Sequence, residues 1–533
     1  MQIAVAQLNT HLGNFEKNEQ NIIAYIKKAE AKNVDLIAFP ELSIPGFSPD
    51  DLLFDQKFLK TVHNSIERIA LHSKNIAIII GAPYLLKDKL YNAAFFMAEG
   101  KIQQQHYKTT NCNHGVFQES RYFHTAQENK LIQYKGKKIG IAIGNELWEN
   151  QDEFNFSFKK LKKQNIDFLF NLSTSLFSLS TLEKRNKLFS SIAKELQTTV
   201  CFVNQVGAHA DIILDGGASI YNPKGELCHQ LPYFEEGLLL SNKVSTPLKT
   251  PTINKYEFIE KAIVLGIQDY FKKLNFKTAT LGLSGGIDSA LGMVLAVKAL
   301  GARNVTPLLI PSQFSSEHSI TDAIQLCKNL GCNYHIVPLE PIYNTFIQQT
   351  KTLFKGKDFD TTEENIQSRI RGTLLMAQSN KLGHILLNTS NKSEIAVGYG
   401  TLYGDLTGGL SVIGDLYKTE VYELSKYINR NQEVIPHHII EKPPSAELRP
   451  NQVDADFLPH YEILDSILFQ HIELQKGVQE IIDSGKEGQL VKRILKLVQQ
   501  NEYKRNQSMP ILRVSKKGFG RGRRMPLVAS PQL

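Results

Sequence analysis

A short glycine-rich loop in the second half of the chain carries the clearest chemical signal. It reads Ser284-Gly285-Gly286-Ile287-Asp288-Ser289 and stands where an apolar strand pattern gives way to a helix pattern. Consecutive glycines let the backbone turn its N–H groups towards a phosphate, and the helix N-terminus adds partial positive charge. The Asp288 carboxylate would repel a bare phosphate, so a bridging Mg²⁺ is implied. A purely structural glycine turn is disfavoured because all these groups meet at one strand-to-helix junction.

The spacing of this loop differs from both the Walker A loop and the dinucleotide fingerprint. It resembles instead the pyrophosphate loop of the N-type ATP pyrophosphatases. Enzymes of that group cleave ATP between the α and β phosphates and pass AMP to a carboxylate or a carbonyl. The resemblance therefore implies ATP as a substrate, with Mg²⁺.

Six further polar motifs follow the loop, at Thr362–Gly372, Asn388–Glu394, Tyr403–Asp405, Lys418–Thr419, Lys442–Leu448 and Glu502–Arg505. Together they resemble NAD synthetase, in the long form that carries an N-terminal amidase domain. The match covers nearly all of residues 257–533. One small departure is Ser390, where the family usually has glycine.

The resemblance implies a role for individual residues. The loop Ser284–Ser289 would hold the ATP phosphates, with further ATP contacts from Thr389, Lys418 and Ser445. Mg²⁺ would be held by Asp288 and Glu394. The residues expected to bind the substrate, nicotinic acid adenine dinucleotide, are Asn365, Arg369, Glu394 and Lys504. For Thr389 and Ser445 a helix cap is the simpler alternative.

The implied reaction has two steps. The nicotinate carboxylate attacks the α phosphate, which expels pyrophosphate and forms an adenylate. Ammonia then displaces AMP to give the amide. The protein contributes positioning and charge neutralisation, and no side chain needs to become covalently attached.

The first half resembles the nitrilase superfamily, whose catalytic trio is Glu, Lys and Cys. Glu41 lies in Phe39–Ser43, just past a strand pattern, and Lys108 precedes the motif Gly115–Phe123. These residues match the base and the lysine of that trio. In long-form NAD synthetases this domain hydrolyses glutamine and supplies ammonia to the synthetase.

The cysteine of the trio is missing at its expected position. The family pattern after the strand at Ile139–Ile143 is Cys-Glu-Asp-x-Trp, whereas this chain reads Gly144-Asn145-Glu146-Leu147-Trp148. Glycine cannot attack an amide or carry an acyl intermediate, so Glu41 and Lys108 are interpreted as relics of a glutaminase trio. Four further departures fall in the same pocket, at Cys112, His114, Asn145 and Leu176.

Three hypotheses follow. The favoured one is an NAD synthetase that uses free ammonia and keeps its nitrilase-like half as a scaffold for a homo-oligomer. The second is a glutamine-dependent enzyme with an unorthodox nucleophile, for which Cys112 is the nearest candidate, or with a partner glutaminase. The third is a non-catalytic dinucleotide-binding protein, against which the retained Asp288, Glu394, Lys418 and Lys504 argue. GMP synthetase is a weaker rival because its amidase normally has another fold.

The end of the chain is basic, with eight Lys or Arg and one acid between Glu502 and Arg524. Nucleic-acid binding is one interpretation. Only Tyr503 and Phe519 supply aromatic rings there, and the motif match favours contacts with anionic substrates and an oligomer-linked tail. We therefore expect no nucleic-acid partner.

These motifs need an alternating α/β framework to position them. The nitrilase resemblance implies an α-β-β-α sandwich for residues 1–245, and the apolar patterns predict strands that include Ile3–Leu8, Ile139–Ile143 and Val200–Val206. Residues 246–256 read as a linker. Residues 257–533 predict a doubly wound parallel sheet, with strands at Thr278–Leu283, Val305–Ile310 and Tyr334–Leu339 and a helix at Asp322–Leu330.

Composition fits this scheme. The 533 residues are 42% hydrophobic and 21% charged, with a net charge of +8, as in ordinary globular proteins. The five cysteines include no Cys-x-x-Cys pair, which favours reduced thiols in the cytoplasm over a disulfide framework or a zinc site. No apolar run approaches the roughly 20 residues of a membrane span, so no membrane association is expected.

Overall fold

The computed structural model describes residues 1–127, 130–148, 164–241, 247–249 and 253–530. The chain forms two compact units, Met1–Ile253 and Asn254–Leu533. Within the linker predicted at 246–256, residues 246 and 250–252 lie outside the described residues. The first helix of unit 2 begins inside that stretch, because the Asn254 side chain accepts hydrogen bonds from the Tyr256 and Glu257 backbone and caps it.

Unit 1 contains three described helices and fourteen strands. The helices are α1 (Phe15–Glu30), α2 (Gln56–Ala70) and α3 (Leu179–Leu196). The strands are β1 (Ile3–Gln7), β2 (Leu36–Ala38), β3 (Ala77–Leu86), β4 (Lys89–Ala98), β5 (Lys101–Tyr107), β6 (Ile132–Tyr134), β7 (Lys137–Ile143), β8 (Phe168–Ser173), β9 (Thr199–Asn204), β10 (Val206–His209), β11 (Ile212–Asp215), β12 (Ser219–Tyr221), β13 (Leu227–Gln230) and β14 (Gly237–Leu240).

Two six-stranded sheets dominate unit 1, in the orders β14-β1-β2-β3-β4-β5 and β13-β12-β9-β8-β7-β6. The central strands β1, β2 and β3 pair in parallel, as do β7, β8 and β9, and antiparallel strands flank them. Alternate residues of both sheets meet in one buried cluster, which includes Val5, Ile79, Ile141, Phe170 and Val203.

The outer face of each sheet is covered by helices. The apolar faces of α1 and α2 pack on the first sheet, and that of α3 packs on the second. Because side chains of a strand alternate between its faces, each sheet is buried on both sides. The α-β-β-α sandwich is therefore confirmed.

The strand predicted at Val200–Val206 is interrupted at Gln205, which separates β9 from β10. The side chain of Gln205 donates to the Glu41 carbonyl oxygen at 2.7 Å and accepts from the Thr10 hydroxyl at 2.8 Å. The Gln205 backbone remains paired, since its N–H donates to the Ser173 carbonyl at 3.2 Å and its carbonyl accepts from the Gly216 N–H at 3.0 Å.

Unit 2 contains twelve helices and five strands among its described residues. The helices are α4 (Lys255–Lys273), α5 (Ile287–Leu300), α6 (Glu317–Leu330), α7 (Glu340–Phe354), α8 (Thr361–Leu382), α9 (Lys392–Val397), α10 (Lys418–Ile428), α11 (His437–Glu441), α12 (Tyr461–Ile472), α13 (Val478–Asp483), α14 (Gly488–Gln500) and α15 (Glu502–Arg505). The strands are β15 (Ala279–Thr280), β16 (Leu308–Leu309), β17 (His335–Ile336), β18 (Ile385–Asn388) and β19 (Leu410–Ser411).

All strand pairs of unit 2 are parallel. Ladders join β15 to β18, β18 to β19 and β16 to β17, and single bridges at Ala279–Val305 and Gly282–Leu308 link β15 to β16. The order is therefore β17-β16-β15-β18-β19. Helices α7 and α8 pack against β16 through residues such as Tyr343 and Ile370. The predicted doubly wound parallel sheet is confirmed.

Several elements of unit 2 differ in length from the sequence prediction. The helix predicted at Asp322–Leu330 begins at Glu317, because the Ser316 side chain accepts from the Ser319 N–H and caps an additional turn. The predicted strands around β16 and β17 shrink to two residues each.

The basic tail packs onto unit 2 itself. Phe519 lies in a buried apolar cluster with residues of α12 and α14. The Lys517 N–H donates to Glu473, and Arg523 pairs with Glu502 at 2.9 Å. Across the described residues, we find no helix with the length and apolarity needed to span a membrane.

A buried ion pair offers a test of unit 1. Arg185 and Asp215, both at most 1% exposed, form two hydrogen bonds of 3.0 and 2.7 Å. Asp215→Ala leaves the guanidinium unpaired and should lower the free energy of unfolding by about 3–5 kcal/mol. Urea unfolding followed through the single tryptophan, Trp148, reports on this unit.

The control is Arg68→Ala, which removes the more exposed pair with Glu19. Surface pairs contribute about 0–1 kcal/mol. Equal losses in the two variants would show that the buried pair does not hold unit 1 together.

Candidate functional site

The glycine loop of unit 2 is held in one conformation by its own side chains. Gly285 has a φ of +80°, and a Cβ there would lie 2.2 Å from the Ser319 carbonyl oxygen, so only glycine fits. The hydroxyl of Ser289 donates to the Gly286 carbonyl at 2.9 Å and lies 3.1 Å from that of Ser284. The loop therefore presents its backbone at the N-terminus of α5, where an anion is favoured.

Two carboxylates beside this loop converge on one ammonium group. Lys418 Nζ donates to Asp288 Oδ2 and, at 3.3 Å, to Glu394 Oε1. Asn391 Nδ2 donates to Asp288 Oδ1 at 2.9 Å. Asn391 and Lys418 follow Asp288 in the sequence by 103 and 130 residues, and the fold brings all three side chains into contact.

Burial and charge shape this cluster. Burial, followed by the Asp288 carboxylate, raises the pKa of Glu394 to about 8, although Lys418 opposes the shift. Burial alone would lower the pKa of Lys418, but Asp288 and Glu394 raise it above its ordinary value. The ammonium therefore stays charged and offsets the repulsion between the two acids.

Neighbouring helices fix the geometry of the cluster. In α9, the Asn391 side chain accepts from the Glu394 N–H at 3.0 Å and caps the helix. Ser393 Oγ accepts from the Lys418 N–H at 2.9 Å and donates to Asp465, whose other oxygen accepts from the Thr419 N–H at 2.9 Å. Asp465 therefore joins the first turns of α9 and α10, a role that sequence reasoning missed.

Thr389 and Ser445 do not cap helices. Thr389 follows β18 and packs on α5, so closely that a Cβ on Gly292 would lie 2.5 Å from its methyl group. Ser445 Oγ donates to the Gln452 carbonyl and accepts from the Glu447 N–H at 3.1 Å, which folds its own loop. The helix-cap alternative is therefore wrong for both residues.

The loop that contains Ser445 lies against the N-terminus of α6. The Glu447 carboxylate accepts from the hydroxyls of Ser316 at 3.0 Å and Ser319 at 2.7 Å, and Lys442 Nζ donates to Ser319 Oγ at 2.8 Å. Because the Ser319 carbonyl packs on Gly285, these contacts place the loop beside the phosphate-binding backbone.

Three residues predicted to bind the dinucleotide surround one segment, residues 398–402. Lys504 Nζ donates to the carbonyls of Gly398 and Gly400, both at 2.8 Å. Arg369 Nε donates to the carbonyl of Leu402 at 3.3 Å, and Asn365 Oδ1 accepts from Thr401 at 2.7 Å. The predicted residues thus share one neighbourhood, although α8 and α15 supply them separately.

A chain of polar contacts connects this segment with the carboxylate cluster. Asp454 accepts from the hydroxyls of Tyr399 at 3.2 Å and Tyr461 at 2.8 Å. The Lys418 ammonium lies 5.3 Å from the centre of the Tyr461 ring. The two groups of predicted residues therefore belong to one site in unit 2.

Unit 1 contains a second charged pocket. The buried Lys108 Nζ lies 3.2 Å from Glu41 Oε1 and 2.7 Å from Glu119 Oε1. Asn92 and Thr174 donate to the two oxygens of Glu41 at 2.7 and 2.8 Å. The two carboxylates raise the pKa of Lys108, although burial acts in the opposite direction.

Gly144 lies directly against this pair. Its φ is +56°, and a Cβ added there would lie 2.5 Å from Lys108 Nζ and 2.7 Å from Glu41 Oε1. Its N–H donates to the Leu172 carbonyl at 2.7 Å. Gly144, which follows β7, thus faces both Glu41 and Lys108. The ends of these two side chains occupy the space where a side chain at position 144 would lie.

Two further residues complete the pocket. Glu146 accepts from the backbone N–H groups of Thr109 and Ile143, both at 2.6 Å. Asn145 Nδ2 contacts Cys112 Sγ at 3.0 Å, and burial raises the pKa of that thiol. A raised pKa disfavours the thiolate that nucleophilic attack requires.

Sequence reasoning missed part of this pocket. Glu119 falls within the motif Gly115–Phe123 without a predicted role, yet it is the nearer of the two acids to Lys108. Its position eleven residues after Lys108 gave a usable signal, because both flank one loop. Asn92 carried no comparable signal, since an asparagine within β4 resembles any buried polar residue.

Comparison with known proteins places the whole chain. Residues 2–244 match the family described as carbon-nitrogen hydrolase, and residues 259–508 match NAD synthase. A glutamine-dependent NAD(+) synthetase from Synechocystis sp. is 42% identical, over 98% of each chain. The chain belongs to the NAD synthetase family. Its two matched domains define the long form, as the motifs predicted.

Other relatives agree with this membership. A glutamine-dependent NAD(+) synthetase from Acinetobacter baylyi is 37% identical over 99% of this chain and 98% of its own. The glutamine-dependent NAD+ synthetase from Acinetobacter baumannii, solved with ADP, has a TM-score of 0.79 and 35% identity over 99% of this chain and 98% of its own. The structure from Cytophaga hutchinsonii, at 22% identity and a TM-score of 0.86 over 99% of this chain and 98% of its own, shares the fold.

The raised pKa of Glu394 leads to a pH prediction for the ligand-free protein. Between the unfolded value of 4.5 and about 8, the folded NAD synthetase binds a proton that the unfolded chain lacks, so this group makes stability fall as pH rises through that window. Glu394→Gln removes the effect. The variant should gain stability relative to the parent between pH 5.5 and pH 8.5.

Chemical unfolding followed by circular dichroism at both pH values measures the difference. Glu480→Gln, on the short helix α13, is the control because its carboxylate caps that helix at the surface. A stability difference for Glu394→Gln that stays constant between the two pH values would contradict the prediction.

Proposed function

We propose that this protein amidates the nicotinate carboxylate of nicotinic acid adenine dinucleotide to form NAD, with conversion of ATP to AMP and pyrophosphate. The observation that carries the proposal is the convergence of Asp288, Glu394 and Lys418 beside the glycine loop, in a chain of the NAD synthetase family. A non-catalytic dinucleotide-binding protein would have no need for two partly exposed acids and a buried cation beside this helix N-terminus.

Mg²⁺ fits the donor set of this site. Asp288 and Glu394 supply carboxylate oxygens, and Mg²⁺ is commonly bound by one or two carboxylates together with substrate phosphates. When bound, the ion would neutralise charge on the ATP phosphates. Burial and, after it, the charge of Asp288 raise the pKa of Glu394, and a bound cation would oppose both effects by favouring the carboxylate.

The residues of this chain would then act by positioning. The backbone of Ser284–Ser289 would hold the phosphates, with Thr389, Lys418 and Ser445 around the nucleotide. Asn365, Arg369 and Lys504 would hold the dinucleotide near the 398–402 segment. The nicotinate oxygen would attack the α phosphorus with loss of pyrophosphate, and ammonia would attack the resulting acyl adenylate with loss of AMP and a proton.

For the nitrogen donor, we propose free ammonia. Gly144 faces Glu41 and Lys108 where the nitrilase resemblance expects a cysteine, and it has no side chain to attack glutamine. Cys112 is a poor substitute because its thiol is buried and its pKa is raised. The nitrilase-like unit would then serve as a scaffold, in a homo-oligomer, with the domain limits 1–245 and 257–533 predicted from sequence.

Glutamine dependence is the second candidate, and the names of the relatives favour it. The proteins from Synechocystis and Acinetobacter baylyi are both described as glutamine-dependent. A partner glutaminase, or an unusual route through the retained Glu41, Lys108 and Glu119, would reconcile those names with Gly144. The two candidates share the synthetase chemistry and differ only in the source of nitrogen.

A donor comparison separates them. We expect the purified protein to form NAD from nicotinic acid adenine dinucleotide, ATP and Mg²⁺ with ammonium, and at least about 100-fold more slowly with glutamine at equal concentration. The size of this difference follows from loss of the covalent nucleophile, which commonly costs several orders of magnitude. Efficient glutamine use by the pure chain would establish the second candidate.

Cys112→Ser tests the internal version of glutamine use. We expect both the ammonium rate and any residual glutamine rate to stay within twofold of the parent. The matched control is Cys228→Ser, which changes another buried cysteine of the same unit. Loss of a glutamine-driven rate only in Cys112→Ser would assign the nucleophile to Cys112.

A further inference from the structure

Arg371 lies on α8, two residues after Arg369. The motif resemblance assigns it no contact with ATP or with the dinucleotide. Two residues along an α-helix correspond to a rotation of about 200°, so the two side chains leave opposite sides of the helix. Arg369 is exposed, whereas Arg371 is partly buried and reaches the sheet, where its Nε donates to the Ile310 carbonyl at 3.1 Å. Arg369 therefore lies on the exposed side of α8, and Arg371 lies on the side that faces the sheet.

The guanidinium of Arg371 is under-satisfied within the part of the chain that the structure describes. Its bond to Ile310 uses Nε, and neither Nη1 nor Nη2 forms a hydrogen bond or an ion pair there. An arginine has five N–H donors in a rigid fork. The two Nη groups are not among the buried polar atoms that lack a partner, so they reach solvent and are free to contact an anion.

The nearest acids are committed to other partners. Asp405 accepts from the Ser368 hydroxyl at 2.7 Å and from the Thr401 N–H at 2.8 Å. Glu447 accepts from Ser316 and Ser319. Burial lowers the pKa of Arg371 to about 10, although Glu447 and Asp405 oppose the shift.

The location of Arg371 points to the kind of anion. Ile310 follows β16, and β16 lies next to β15, since Leu283 N–H donates to the Leu308 carbonyl at 3.0 Å. The glycine loop begins at the next residue after Leu283. Parallel sheets of this kind bind ligands at the carboxyl ends of their strands. Arg371 therefore stands at the same edge as the phosphate loop, one strand away.

We propose that Arg371 is a further phosphate-binding residue of the synthetase site, with Nη1 and Nη2 directed to a phosphate of a bound nucleotide. The planar fork suits bidentate contact with phosphate oxygens. The phosphate belongs to ATP or to the dinucleotide. This assignment rests on the proposed function for the identity of the two ligands.

Equilibrium binding tests the assignment without turnover. Calorimetric titrations with ATP, with nicotinic acid adenine dinucleotide and with adenosine are compared between the parent and Arg371→Met. We expect the Kd of at least one phosphate-bearing ligand to rise tenfold or more, while that of adenosine changes less than twofold. The ligand whose Kd rises identifies the source of the phosphate, and a rise for both still supports the assignment.

Thermal unfolding separates binding from a structural role. The ligand-free Arg371→Met variant should melt at about the temperature of the parent, because the hydrogen bond it loses among the described residues is the one to the Ile310 carbonyl. The increase in Tm produced by the affected ligand should be smaller. Arg303→Met, at an exposed arginine of the same unit, is the matched control and should leave every Kd within twofold of the parent.

Two results would overturn the assignment. One is a Kd for ATP and for the dinucleotide that stays within twofold of the parent. The other is an equal loss of affinity for adenosine and ATP, which indicates general damage to the site. If Arg371→Met does not fold, Arg371→Gln carries the same test. Because turnover is not measured, a failure of amidation would refute the proposed function and leave the binding result interpretable.

Discussion

The ammonium of Lys418 lies between Asp288 and Glu394, and the arrangement of the synthetase site depends on that contact. Without that cation, the charged forms of these two partly exposed acids would repel each other at the N-terminal turns of α5 and α9. The surrounding structure keeps the cation in place. Asp465 accepts from the first turn of α10 and from Ser393, so one carboxylate fixes the direction from which the lysine arrives. The charged side chains of the site are therefore already in position before ATP binds.

In the pocket of unit 1 the charged residues are also in place, but the residue that would act as nucleophile is absent at position 144. Its charges are intact, since Glu41, Glu119 and Lys108 are buried and mutually hydrogen-bonded. Gly144 has no side chain, so it lacks the nucleophilic sulfur atom on which these charged groups would act. Buried acids around one lysine stay stable only while they pair with it, so structural constraints alone are enough to keep this polar framework in place. The retention of Glu41 and Lys108 is therefore compatible with the proposed use of free ammonia as well as with glutamine dependence.

Motifs with a local mechanism were predictable from the sequence. The Ser284–Ser289 loop combines glycine, hydroxyl and helix N-terminus within six residues, and its strand and helix were expected in the right order. The parallel sheet followed from alternating strands and helices, although the exact lengths of β16 and β17 did not. Short parallel strands depend on neighbours far along the chain, and nothing in their own residues sets where pairing ends.

The departure at Ser390 is explained locally, because its N–H donates to Asn388 Oδ1 at 3.1 Å and its backbone avoids the left-handed region. Long-range contacts were beyond prediction. Asp465 lies outside the quoted motifs, and Arg371 lies within one that gives it no separate role. The significance of both residues appears only once α8 lies against β16 and α12 against α10. The role of Asp465 comes from donors on α9 and α10, and that of Arg371 from its position beside Ile310.

The proposed use of free ammonia requires that Gly144, which faces Glu41 and Lys108, leave unit 1 unable to open glutamine through a covalent intermediate. The most direct measurement of this requirement is the intact mass of the protein after incubation with a diazoketone analogue of glutamine, which alkylates the nucleophile of glutamine-hydrolysing sites. We predict an unchanged mass and full retention of ammonium-dependent NAD formation. A stoichiometric adduct on a residue of unit 1 would contradict the account and would identify the nucleophile.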